Sequence, residues 1–110
     1  MDALVKTVGS AAFRELAGAG NGIILDVRTP EEVAAGYIEG AVNMNVRGEN
    51  FREQVNALPK DKDIYVYCRS GKRSLTAAGI LCESGFKQIY NLKDGITGWV
   101  EDGLPVSKQE

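Results

Sequence analysis

The chain has 110 residues, 44% of them hydrophobic and 25% charged, with a formal net charge of −2. That length holds one hydrophobic core rather than two, so residues 1–110 are expected to form a single domain. The composition is that of a globular protein rather than a disordered or fibrous one, and the acidic balance speaks against a nucleic-acid partner. No apolar run approaches the ~20 residues of a membrane span, and Met1 to Lys6 shows no basic stretch leading into an apolar one. A cytoplasmic protein without a membrane partner is therefore the expectation. Histidine is absent, which removes Cys–His catalytic pairs and mixed Cys/His zinc sites.

In chain order, Leu4-Val5-Lys6-Thr7-Val8 reads as a first strand. Ser10 is placed to cap a helix through Ala17, with Phe13, Leu16 and Ala17 at helical spacing and Gly18, Gly20 and Gly22 ending it. The apolar run Ile23-Ile24-Leu25-Asp26-Val27 has the pattern of a strand buried on both faces of a parallel sheet. Thr29-Pro30-Glu31-Glu32 is a capping box with Pro at the first helical position, opening a helix to Ala35. Capping and the helix dipole account for both glutamates.

A weaker strand, Ala41 to Met44, precedes an amphipathic helix marked by Phe51, Val55 and Leu58 and ended by Pro59. Ile64-Tyr65-Val66-Tyr67 is a strand whose tyrosines share one core-facing side. The segment Leu75 to Leu81 is apolar almost all round and predicts a buried central helix, stopped by Gly85. Lys87 to Leu92 gives another strand, Gly98-Trp99-Val100 a last short helix with Trp99 as its packing anchor, and Ser107 to Glu110 a frayed tail. Strands alternating with short helices mean an α/β fold, a mostly parallel sheet of about five strands with helices on both faces. Sites in such sheets lie beyond the carboxyl ends of strands. Cys68 is at such an end, and so are Asp26 and Arg28.

Cys68-Arg69-Ser70-Gly71-Lys72-Arg73-Ser74 joins a strand to a helix, which puts the Cys68 sulfur at a helix N-terminus. An ordinary thiol is only about 3% thiolate at neutral pH, and lowering its pKa by two units takes ~2.7 kcal/mol. A helix dipole supplies ~0.3–1 kcal/mol at an exposed site, so direct N–H contacts from the loop and nearby cations must add the rest. Ser70-Gly71 suits a loop with φ > 0, while Arg69, Lys72 and Arg73 bring charge that would draw in an anionic substrate. Cys82, late in the helix among Ile80 and Leu81, reads as core filler and lies too far along it to pair with Cys68.

This loop resembles the active-site loop of the rhodaneses, the thiosulfate and thiol sulfurtransferases. Leu25-Asp26-Val27-Arg28-Thr29-Pro30-Glu31-Glu32 with Gly36-Tyr37-Ile38-Glu39-Gly40-Ala41 resembles the family's first signature, and Asn91-Leu92-Lys93-Asp94-Gly95-Ile96-Thr97-Gly98-Trp99 its C-terminal one. Tyr37 stands where the family often has histidine, and Asp94 where the first glycine of a pair is common. The resemblance implies a rhodanese-like three-layer domain that moves a sulfane sulfur through a persulfide on Cys68, with no cofactor or metal. The donor would be a small anion such as thiosulfate and the acceptor cyanide, a thiol or a protein cysteine. Arg69 and Lys72 would attract substrate, with Ser70 and Gly71 in the cradle. Arg73 would either support the loop or touch ligand, Ser74 would support it, and Asp26 and Arg28 would support it in preference to direct chemistry.

Two alternatives use the same cysteine. A persulfide carrier or redox partner would hold sulfur without turnover. A cysteine phosphatase places five residues between Cys and Arg, whereas four separate Cys68 from Arg73 here, which makes a smaller cradle.

Overall fold

A computed structural model describes residues 4–20 and 22–108. Strands and helices alternate as β1 (Leu4–Val8), α1 (Ser10–Ala19), β2 (Ile23–Asp26), α2 (Pro30–Ala35), β3 (Val42–Asn43), α3 (Phe51–Asn56), β4 (Ile64–Tyr67), α4 (Lys72–Glu83), β5 (Gln88–Leu92) and α5 (Gly95–Glu101). The sheet order is β1-β5-β4-β2-β3, with every pairing parallel.

Strand β4 is central and all four of its residues are buried. Because side chains alternate across a strand, it feeds two cores. Ile64 and Val66 pack with Phe51 and Val55 of α3 and with Ala77, Ala78 and Leu81 of α4. Tyr65 and Tyr67 pack on the other face with Phe13 of α1 and with Ile96 and Trp99 of α5. The Phe13 ring meets Tyr65, Tyr67 and Trp99 edge-on, at centroid distances of 5.9, 6.4 and 6.2 Å. Helices thus cover both faces of a parallel sheet, the expected three layers, and Trp99 is the expected anchor. Among the described residues no helix is long and apolar enough to cross a membrane.

Several boundaries differ from the sequence reading. Gly9, not Ser10, is the N-cap of α1; Ser10 is the first helical residue and is buried. The helix also runs through Gly18 and ends at Gly20. Helix α4 begins at Lys72, three residues before the expected apolar segment, because Gly71 at φ 101° turns the chain directly into it. Polar residues in a first turn resemble a loop in sequence.

Nor is α4 buried all round: it sinks only the stripe Ser74, Ala77, Ala78 and Leu81, while Leu75 is 53% exposed. Its end follows the glycine stop, Gly85 at φ 102° closing a Schellman pair in which Phe86 N donates to Leu81 O and Gly85 N to Cys82 O. Ser107, expected to fray, exchanges both backbone hydrogen bonds with Tyr37. Residues 109 and 110 of that tail lie outside the described residues.

One buried polar knot fixes the carboxyl end of the sheet. Asp26, 1% exposed, takes a two-pronged ion pair from Arg28 Nε and Nη2, the shortest contact 2.7 Å, and its Oδ1 also accepts the Arg28 backbone N–H. Tyr67 Oη donates to Asp26 Oδ2 at 2.6 Å and accepts the Ile38 N–H at 3.0 Å, while Arg28 Nη2 also donates to Gly36 O. Burial first, and then the Asp26 carboxylate, push the Tyr67 hydroxyl far above the usual phenol range, so it stays a donor. Strands β2 and β4 are thereby tied to the 36–38 segment. In Tyr67→Phe the buried Ile38 N–H loses its acceptor, and Asp26 Oδ2 loses one donor while keeping Arg28. The variant should fold with stability lowered by ~1–3 kcal/mol, a Tm drop of about 5 °C or more in a thermal melt. An unchanged Tm would contradict the knot's role.

Candidate active site

Cys68 follows β4 directly, is 1% exposed and carries a free thiol. The chain turns around its sulfur: Gly71 N–H reaches Sγ at 3.0 Å, and Ser74 Oγ, in the first turn of α4, lies 3.4 Å away. Gly71 allows this for two reasons. Its φ of 101° is one that side chains rarely adopt, and a Cβ there would overlap the Lys93 carbonyl.

The orientation of the loop is imposed by α5. Ile96 N–H donates to Cys68 O at 2.9 Å and Thr97 N–H to Arg69 O at 3.1 Å, so unpaired donors at the start of α5 hold two loop carbonyls outward. A trans peptide is planar, with its N–H opposite its C=O. Pinning Arg69 O on α5 therefore aims Ser70 N–H back at the sulfur. Gly95 makes the approach possible, since a Cβ there would overlap the Arg69 carbonyl. Asp94 sits at an ordinary φ of −107°, while Gly95 carries the positive φ of 61°, which is why only the second position of the family's glycine pair has to be glycine here.

Burial pushes the Cys68 thiol up, but the Ser74 hydroxyl, and then the backbone N–H groups of Ser74, Gly71 and Ser70, outweigh it and hold the pKa below the ordinary thiol value. The basic side chains contribute less than their spacing suggests. Arg73 is held by Glu32 of α2 through two bonds, Nη1–Oε1 at 2.7 Å and Nη2–Oε2 at 2.9 Å. Arg69 and Lys72 are exposed, and neither forms an ion pair among the described residues. Arg73 therefore forms a clamp between α4 and α2.

Thr29 and Glu32 form the expected capping box, but capping does not exhaust Glu32. Its carboxylate also serves Arg73, a function that the local motif hid. Asp26 and Arg28 form a buried ion pair at the adjacent strand end, and the hydrogen bonds at the sulfur are made with Gly71 and Ser74 instead. Cys82 packs, partly buried, against the α3/α4 core. Asn91, absent from the sequence candidates, approaches the site through Ser74. Its sequence signals were a polar residue inside the apolar run Ile89 to Leu92 and a place at the head of the C-terminal signature.

Beside the loop opens a cavity of about 500 Å³, lined by Arg69, Glu32, Ala35, Ile96, Val100 and Val106, among others. No cluster of His, Cys, Asp and Glu that could hold a metal occurs among the described residues.

Residues 10–102 match the family described as "Rhodanese-like domain". The chain belongs to the rhodanese-like family. The rhodanese-like chain is 36% identical over 108 residues to a protein named "Sulfurtransferase" from Allochromatium vinosum, an alignment covering 97% of this chain and 99% of that one. It is 37% identical over 99 residues to "Thiosulfate sulfurtransferase 18" of Arabidopsis thaliana, covering 78% and 72%. The crystal structure of a rhodanese-related protein from Thermoplasma volcanium superimposes with a TM-score of 0.83 at 31% identity, covering 94% and 99%.

Arg73 and the capping interactions together hold the Glu32 carboxyl at about 2, down from 4.5. A depressed carboxylate pKa adds stability that is complete above the unfolded value and lost as pH falls through the folded one. With Glu32 partly solvated, the loss should be ~1–2 kcal/mol between pH 4.5 and 2. Thermal melts across this window should fall more steeply for the unmodified protein than for Glu32→Gln. Parallel pH profiles would contradict the clamp.

Proposed function

We propose that this chain is a sulfurtransferase in which Cys68 carries sulfur as a persulfide. The observation that carries the reading is a buried cysteine sulfur that accepts the Gly71 N–H at 3.0 Å and lies 3.4 Å from the Ser74 hydroxyl. The Cys68 thiolate attacks the outer sulfur of thiosulfate. A new S–S bond forms, the donor's own S–S bond breaks, and sulfite leaves with the bonding electron pair. An acceptor nucleophile, cyanide or a thiolate, then attacks the outer persulfide sulfur, and the electron pair returns to Cys68. The donors that stabilise the thiolate also stabilise the charge carried on the persulfide. Exposed Arg69 and Lys72 attract the anionic donor. No step calls on a metal or cofactor.

The cavity supports a range of acceptors. Its roughly 500 Å³ corresponds to many waters at ~30 Å³ each, far more than cyanide or thiosulfate fills, and leaves room for an organic thiol or a protein cysteine. A carrier that only hands sulfur to a partner would use the same chemistry, and steady-state turnover separates the two. The phosphatase reading is disfavoured by the Glu32–Arg73 pair, since the arginine that would wrap a phosphate is already engaged. The continuous sheet and the match over residues 10–102 support a single domain. A reducing compartment such as the cytoplasm suits a thiol that must cycle.

Turnover of thiosulfate with cyanide or a small thiol tests the proposal. Cys68→Ser should abolish it and Cys82→Ser should leave it largely intact; transfer surviving in Cys68→Ser would overturn the mechanism. Gly95→Ala, which forces the Arg69 peptide off α5, should lower the rate by about 100-fold while the fold persists by circular dichroism. An unimpaired Gly95→Ala enzyme would contradict the role given to α5.

A further inference from the structure

Cys68 lies at one end of a row of side chains that crosses the sheet. Sγ is 3.4 Å from Ser74 Oγ on α4, Ser74 Oγ is 2.5 Å from Asn91 Oδ1 on β5, and Asn91 Nδ2 is 3.4 Å from Thr7 Oγ1 on β1. The strand register places Asn91 between Val66 and Thr7. Ser74 and Asn91 are 0% and 1% exposed, whereas Thr7 reaches the surface.

As the atoms stand, the donors run outward: the thiol to Ser74, Ser74 to Asn91, and Asn91 to Thr7. Ser74 has a single proton, and Gly71 O, 3.1 Å from its Oγ, is another claimant. An anionic sulfur needs that proton turned toward itself. The Asn91 carbonyl would then be left buried without a donor, which is costly. Two hydroxyls and an amide can each both donate and accept, and the outer hydroxyl is free to turn in water.

We propose that Asn91 is a positioning residue for Cys68, its amide turning over when the thiol ionises so that the row reverses. Thr7 Oγ–H then donates to Asn91 Oδ1, Asn91 Nδ2–H to Ser74 Oγ, and Ser74 Oγ–H to the sulfur. The thiol proton leaves to solvent; none travels along the row, because each hydroxyl re-aims the one it has. The charged groups near the sulfur keep their partners throughout. Arg73 of α4 stays on Glu32 of α2, Arg28 of β2's end on Asp26, and the Tyr67 hydroxyl of β4 on Asp26, with Arg69, Lys72 and Glu101 exposed.

This deepens the reading of Cys68 as an ionising nucleophile and rests on it, but its test needs no sulfur donor, so a failure of sulfur transfer would leave the test standing. Thiolate absorbance is followed against pH in Ser74→Ala, Asn91→Leu and the double variant. Each single variant should hold about tenfold less thiolate at a fixed pH below the pKa, and the double variant no less than Ser74→Ala. An Asn91→Leu thiolate fraction that is unchanged or higher, or an effect that adds to that of Ser74→Ala, would overturn the proposal. Should Asn91→Leu fail to fold, two-dimensional NMR of the unmodified protein decides. The Asn91 side-chain amide resonances should move in step with Cys68 ionisation and stay still in Ser74→Ala; resonances indifferent to that ionisation would overturn it.

Discussion

The site depends on one planar peptide. Arg69 O accepts a hydrogen bond from the first turn of α5, so Ser70 N–H has no direction left but inward, toward the Cys68 sulfur. Two orphan sets are satisfied together: the unpaired N–H groups that begin α5 and the carbonyls of a loop whose own N–H groups are wanted elsewhere. Gly95 sets the closeness of the approach and Gly71 the turn into α4. The cradle is thus built from backbone. Its side chains hold that backbone in place more than they face the sulfur, Ser74 being the exception.

This division explains the use of charge. Of the three cations in the loop, the half-buried one is consumed by Glu32, and the two exposed ones are left in water. A permanent cation against the sulfur would stabilise a thiolate but would also hold tightly any anion that arrived. A hydroxyl and amide dipoles lower the thiol pKa without a fixed counter-ion. The knot of Asp26, Arg28 and Tyr67 keeps its own buried charges internally neutral at the neighbouring strand end.

Much of this was legible in the residues. The apolar run of β2, the Thr29–Glu32 capping box and the strand-to-helix passage at Cys68 are local patterns, and local patterns survive folding. The full length of α4 was not legible, because Lys72, Arg73 and Ser74 are as polar as a loop. The exposed side of α4 was missed because Leu75 is apolar whether or not it is buried. Pairings distant in sequence left no trace: Glu32 with Arg73 is 41 residues apart and Asn91 with Ser74 is 17. Glu32 had a sufficient local explanation as a cap, which concealed its second one. Gly95 was visible as part of a signature, but the carbonyl that forbids a side chain there belongs to a segment that only the fold brings near.

A cradle for one additional sulfur makes a claim about covalent chemistry, and the most direct measurement is the intact mass of the protein after incubation with thiosulfate. The account predicts a gain of one sulfur atom, located on Cys68, removed by a reductant and absent from a Cys68→Ser protein. A protein whose mass is unchanged by thiosulfate, or an adduct that persists without Cys68, would contradict it.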